Sequence, residues 1–270
     1  MNDSQITMLG TGNAIVTKCY NTCFVIRSPQ AVLLIDAGGG NGILSQLEKA
    51  HVDLRDIHNL FITHAHTDHI LGVIWVTRMI INLMKGKKYE GSFTIHSHEK
   101  ALNVLSTICR MTFSKKDLSL FDEFIQLHEL RNNDTTQIGD MSLRCFDILS
   151  TKEKQFGFNL LLPDGQHIAC LGDEPFNEAN RAYVEHADWL LCEAFCLYRD
   201  REIFKPYEKH HSTAFEAGIL ANKLQVKHLI LYHTEDQHLD IRKQAYTEEA
   251  RQNFAGNIFV PDDLDIIKLS

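Results

Sequence analysis

Residues 61–70 read FITHAHTDHI and place His64, His66, Asp68 and His69 within six positions. An apolar strand, NLFITH (Asn59 to His64), runs straight into them. Side chains 64 and 66 point the same way in extended backbone. Asp68 and His69 follow on a turn, at the start of a helix predicted from Asp68 to Met84 with Gly86 as its stop signal. Neutral imidazole and carboxylate are the usual ligands of zinc and related divalent ions. A lone histidine on an apolar face reads as a packing residue. Four such groups in H-x-H-x-D-H order, directly after an apolar strand, read as a metal site. One ion takes about four ligands, and these four cannot share one ion in every geometry. Two ions close together are the natural alternative, with further ligands supplied by later strand ends.

Three later stretches follow the same rule of a polar residue just past an apolar strand. CLGDE offers Asp173, LILYHTED offers His233, and FKPYEKHHSTAFEAG offers His210 and His211 just before a helix. Each alone fits a turn or a cap. With the first cluster they form a coherent set.

The rest of the chain alternates strand-like and helical runs. ITMLG, TCFVIR and AVLLID are predicted strands, followed by a glycine-rich turn, AGGGNG, and a helix from Ile43 to Ala50. FTIHS is a strand and Lys100 to Cys109 a helix; residues 111–138 carry no clear pattern. MSLRCFDI, FGFNLLL and HIACLG then read as strands, residues 176–187 as helical, and DWLLCEAF as a strand. Residues 199–209 read as a charged loop. Ser212 to Leu224 reads as a helix capped by Ser212, HLILYH as a strand, and Arg242 to Phe254 as a helix. IFVPDD and DIIKL close the chain as short strands. Each half runs strands first and strand–helix pairs after. The expected fold is therefore α/β, an αββα sandwich of four layers forming one domain over residues 1–270.

Composition narrows the function classes. The 270 residues are 44% hydrophobic and 23% charged, as in an ordinary globular chain. A net charge of -8 argues against coating duplex DNA. MNDSQITMLG shows no basic region followed by an apolar core, so no leader is expected. The longest apolar run, ILGVIWVTRMIINLM, contains Arg78 and falls short of the ~20 residues of a membrane span. Seven cysteines, an odd number, suit reduced thiols and a cytoplasmic location, with Cys192 and Cys196 as packing residues. His51, His58, His128, His186 and His228 have no ligand-like neighbours in sequence.

With LGTGNA, LLIDAG, THAHTDH, the LGD of residues 171–173 and LILYHTE in place, the chain resembles the metallo-β-lactamase superfamily along essentially its whole length. HSTAFEAG, with Glu208 upstream, and LGTGNA resemble the ribonuclease Z branch and its phosphodiesterase relatives. The resemblance implies that His64 and His66 bind one metal, that Asp68, His69 and His233 bind a second, and that Asp173 bridges both. It further implies a hydroxide between the ions, oriented by Asp68, with His211 stabilising or protonating the leaving oxygen. A homodimer is expected on the same ground. Zinc is the expected ion, with manganese or iron as alternatives.

Two departures qualify the pattern. The superfamily places another histidine before the bridging aspartate, and here Ser150 or Thr151 occupies that position. No histidine occurs from 129 to 166, so the first site is one ligand short. His167 sits at the wrong end of its strand, and His96 and His98 read as a surface turn. Second, transfer-RNA-processing members insert a long glycine- and proline-rich arm before that aspartate, and about twenty residues leave no room for one. Arg199, Arg201, Lys205 and Lys209 are candidate phosphate contacts in a loop that equally suits solvent. The leading reading is a metal-dependent phosphodiesterase acting on a small phosphodiester or RNA-like substrate. Hydrolysis of a lactone, thioester or sulfate ester on the same fold, or a catalytically impaired sensor with a single metal, are the alternatives.

Overall fold

The structure, a computed structural model, describes residues 4–269. Residues 1–3, the start of the stretch read for a leader, and residue 270 lie outside the described residues. The amino-terminal half forms β1 (Gln5–Gly10), β2 (Cys23–Arg27), β3 (Val32–Ile35), β4 (Asn59–Phe61), β5 (Phe93–Ser97) and β6 (Ile125–Glu129). The other half forms β7 (Thr135–Ile138), β8 (Met141–Asp147), β9 (Phe156–Leu161), β10 (His167–Cys170), β11 (Trp189–Glu193), β12 (His228–Tyr232) and β13 (Asn257–Phe259). The last strand, β14 (Ile266–Lys268), returns to the first sheet beside β1. The sheets run β14-β1-β2-β3-β4-β5-β6 and β13-β12-β11-β10-β9-β8-β7. In each, one side is antiparallel and the other parallel: β3 to β6 in the first, β10 to β13 in the second.

The layers follow from where the apolar side chains go. Ile6, Phe24, Phe61, Phe158 and Trp189 fill the space between the sheets. Leu34, Leu60, Val73, Ile80 and Leu105 join the first sheet to its helices α1 (Gly42–Lys49), α2 (Thr67–Lys85), α3 (Glu99–Thr112) and α4 (Lys115–Phe124). The short α5 (Arg181–Val184) and α6 (Arg201–Phe204) precede α7 (Ala214–Lys223) and α8 (Arg242–Arg251). Leu190, Leu229, Ala217 and Ala250 join the second sheet to α7 and α8. The expected αββα sandwich is the observed architecture. No helix among the described residues is long and apolar enough to cross a membrane.

Several local expectations need correction. Residues 111–138 hold α4, β6 and β7. Their pattern is weak because α4 buries only Asp117 and Phe121, and β6 and β7 are edge strands with exposed side chains. Residues 176–187 form only a helical turn and the four-residue α5. Residues 199–209 are not a loop: short helical turns flank α6, anchored by Phe204 against Phe195 and Cys196. The cap of α7 is Thr213 rather than Ser212, because Thr213 and Glu216 form a reciprocal capping box. His96 and His98 are buried, not on a surface turn. His96 Nε2 contacts Asn59 Oδ1 at 3.0 Å and its Nδ1 meets His128 Nδ1 at 2.9 Å, while His98 Nδ1 caps α3 by accepting from Ala101 N.

The register of α2 decides the site, and Gly72 sets it. Gly72 N donates to Gly38 O at 2.8 Å, and a Cβ on Gly72 would lie 1.7 Å from Ala37 O. Gly72→Ala should destabilise the fold by about 3 kcal/mol, since overpacking against backbone cannot relax by a rotamer change; equilibrium urea unfolding measures this. A second expectation concerns acid. Burial, and then His128, push the His96 imidazole down to about 4. Its folded value lies below its unfolded one, so the unfolded chain binds the proton first, and stability falls as pH drops from about 6.5 toward 4. Between pH 7 and 4.5 wild type should lose on the order of 2 kcal/mol that His96→Gln does not lose.

Candidate metal centre

The centre lies at the carboxyl ends of the parallel strands of both sheets, where α/β folds expose backbone ends and loops to ligand. After β3 comes Asp36, after β4 the 63–69 segment, after β10 Asp173, and after β12 His233. His66 takes the cap position of α2 without using its side chain as a cap, which leaves the ring free. Asp68 and His69 occupy the first turn behind it.

One group of donors is His64, His66 and Asp173; a second is Asp68, His69 and His233; within each, the ligand atoms lie within 4.8 Å of one another. His64 Nε2 is 2.8 Å from His66 Nδ1 and 3.5 Å from Asp173 Oδ2. His69 Nε2 is 3.3 Å from Asp68 Oδ2, and His233 Nε2 is 3.6 Å from the same oxygen. Asp173 Oδ2 joins the groups, at 3.6 Å from His69 Nε2 and 3.7 Å from His233 Nε2.

Asp36 orients this cluster. Its carboxylate accepts from Thr63 N at 2.8 Å, Thr63 Oγ1 at 2.6 Å and His69 Nδ1 at 2.8 Å. Thr63 Oγ1 donates to Asp36 and so accepts from His64 Nδ1, at 2.9 Å. With Nδ1 engaged in both rings, Nε2 is the nitrogen that His64 and His69 present to the cluster. A partner on one ring nitrogen selects the tautomer that binds at the other.

Electrostatics match a cationic occupant. Burial drives the His64 imidazole well below its usual value. Burial opposes charge on Asp173, but His64, His69 and His233 hold it well below the carboxylate range. Burial likewise opposes charge on Asp68, and His69 and His233 lower it. Burial would discharge His69, yet Asp68 and Asp36 raise it well above the ordinary value. Asp173 Oδ1, His69 Nε2 and both nitrogens of His233 are buried without a hydrogen-bond partner among the described residues. Orphaned donors and ionised carboxylates at this depth are costly unless a cation or hydrogen bonds satisfy them. Imidazole and carboxylate fit a divalent ion, and binding would displace the His69 proton.

The wall beside the donors is a cavity of about 220 Å³ lined by His66, Asp68, Asp173, Phe195, His211 and His233, among others. His211 stacks on Phe195, with ring centroids 4.6 Å apart, and its Nδ1 lies 3.6 Å from Glu193 Oε2. Glu193 is fully buried at the end of β11, and its Oε1 accepts from Ser212 N and Oγ. His210 is exposed with a left-handed backbone and does not line the cavity, and Glu208 pairs with Lys205 rather than His211. Ser150 Oγ bonds Glu174 and Thr151 is exposed, so neither replaces the absent first-site histidine. His167 is exposed at the far end of β10, and His96 and His98 serve structural contacts. Asp36 and Glu193 escaped the sequence reading. Both obey the rule that found Asp173, a carboxylate at the end of an apolar strand, LLID and LLCE.

The chain matches the family described as "Anti-Pycsar protein Apyc1" over residues 4–256. It belongs to that family. A ribonuclease Z of Thermococcus sibiricus is 25% identical over 303 aligned residues, covering 98% of this chain and 96% of the relative. The metallo-β-lactamase fold protein YhfI of Bacillus subtilis superposes with a TM-score of 0.80 at 16% identity, over 98% of this chain and 99% of the other. The short form of human tRNase Z gives 0.77 at 20% identity, over 98% and 99%. This member of the family is a ribonuclease Z-like, metal-dependent hydrolase of the metallo-β-lactamase superfamily. If Asp36 orients two ligands, Asp36→Asn should weaken divalent-metal affinity about 10–100-fold, read by competition with a chromogenic chelator.

Proposed function

We propose that the chain hydrolyses a small phosphodiester in the cavity beside His211, with His64, His66 and Asp173 holding one divalent ion and Asp68, His69, His233 and Asp173 a second. The observation that carries this reading is the convergence of both donor groups, through Asp173 Oδ2, on a cavity of only about 220 Å³. Zinc suits the donor set, with manganese or iron as alternatives. When bound, such ions act as Lewis acids and lower the pKa of coordinated water to about 7.

The chain's own residues supply the rest. Asp68 carries a carboxylate oxygen facing the centre and orients the attacking water by accepting a hydrogen bond from it. Glu193 Oε2 sits 3.6 Å from Nδ1 of His211, a carboxylate on that side of the ring, and Nε2 is the nitrogen proposed to protonate the leaving oxygen. Phe195 stacks on His211, holds the ring in place and excludes water. The segment between Ser150 and Asp173 is mainly the β9–β10 hairpin, closed by a tight turn in which Leu162 N donates to Gln166 O. No RNA-gripping arm stands there, which favours a small substrate. The ribonuclease Z of Thermococcus sibiricus, matched along 98% of this chain, supports an RNA end as the second reading. The shared core between the sheets supports one domain over 1–270. All seven cysteines are free, which suits a cytoplasmic location. The homodimer rests on resemblance alone.

His66→Ala and Asp173→Ala should reduce turnover of bis(p-nitrophenyl) phosphate to background. His211→Ala should lower kcat about 10²–10⁴-fold with metal content unchanged. Undiminished turnover by metal-stripped protein would overturn the reading. Faster processing of a precursor transfer RNA than of the small diester would favour the RNA reading.

A further inference from the structure

The turn that stands where a first-site histidine is absent presents a cation to the cavity. Ser150 Oγ donates to Glu174 Oε1 at 2.6 Å and accepts the backbone N–H groups of Lys152 and Glu153, each at 3.2 Å. This closed turn aims Lys152. Its Nζ donates to Lys209 O at 3.0 Å and lies 3.6 Å from Glu174 Oε1. An ammonium has three donors, and with Lys209 O as its one hydrogen-bond acceptor Lys152 keeps donors for a ligand. Lys152 lines the same cavity as His66, Asp68 and His211, and its side chain is 27% exposed. Lys209 lines it too, with its ammonium 5.0 Å from the centroid of the Phe195 ring on which His211 stacks.

The other cations of that segment are engaged locally. Arg199 pairs with Asp200, Arg201 lies over Tyr198, and Lys205 pairs with Glu202. Of the four candidate phosphate contacts, only Lys209 reaches the cavity. The geometry points to Lys152 as the residue that holds a non-bridging oxygen of the substrate's phosphate, with Lys209 adding its charge. The inference rests on the phosphodiester reading above. A lysine ammonium binds phosphate as a point charge. Near Asp68, Asp173 and Glu174 such charge offsets the repulsion an anionic substrate would meet.

The test is binding of p-nitrophenyl phosphate to the metal-loaded protein by isothermal titration calorimetry, with metal content measured for each variant. Lys152→Met should weaken binding about tenfold, the loss of one charge-assisted hydrogen bond. Lys152→Arg should restore most of it. Ser150→Ala, which opens the turn, should weaken binding in the same direction. Affinity within about twofold of wild type in Lys152→Met overturns the inference. A loss that Lys152→Arg fails to restore also overturns it, because that marks a structural role. Wild type that cleaves the diester yet binds no p-nitrophenyl phosphate counts against Lys152. Wild type that binds it through Lys152 but cleaves no diester sinks the phosphodiester reading and leaves the anion site standing.

Discussion

The buried carboxylate of Asp36 is the contact on which the centre depends. It accepts from Thr63 and His69 directly and orders His64 through Thr63, so one side chain sets two imidazoles. Its own backbone is left-handed, with φ of 51°, a conformation uncommon outside glycine that Asp takes more readily than most residues, and here hydrogen bonds enforce it. The enforcement is visible. Asp36 N donates to Phe61 O, Ala37 N to His69 O, and Gly72 N to Gly38 O. The end of β3, the end of β4 and the first turns of α2 are thereby locked together before any ligand arrives.

The second sheet completes what the first begins. Asp173 and His233 arrive from β10 and β12, which are parallel and separated only by β11, so their ends lie on one edge of the same sheet. Tyr232 Oη donates to Gly172 O and ties the two loops together next to the ligand atoms. The sheets meet through large rigid side chains such as Phe61 and Phe158, whose rings contact edge to face at 5.5 Å. Close packing of this kind fixes the separation between the halves of the site. Chemistry that needs donors from both halves therefore inherits its precision from the apolar core.

Much was legible in the sequence because the physics behind it is local. H-x-H-x-D-H is contiguous, and the strands that deliver Asp173 and His233 are continuous apolar runs, the mark of strands buried on both faces. The segments that resisted reading are those whose structure is set from outside. β6 and β7 lie at sheet edges with little apolar pattern, and α6 depends on Phe204 finding Phe195 and Cys196. Asp36 and Glu193 looked like strand-end carboxylates of no special kind. Only their partners distinguish them: His69 for one, His211 and Ser212 for the other. His96 is similar, a polar residue in a short strand whose burial follows from Asn59 and His128 beside it.

The sequence by itself determined the four-layer architecture and the six candidate ligand residues, because hydrophobic periodicity and close-spaced donors are written along the chain. Tertiary structure alone decided how closely the two groups approach, which nitrogen each ring presents, and that Lys152 shares their cavity. Distances between residues a hundred positions apart depend on how two sheets pack, and tautomers depend on the second partner of each ring. Neither is encoded in any local stretch of the chain.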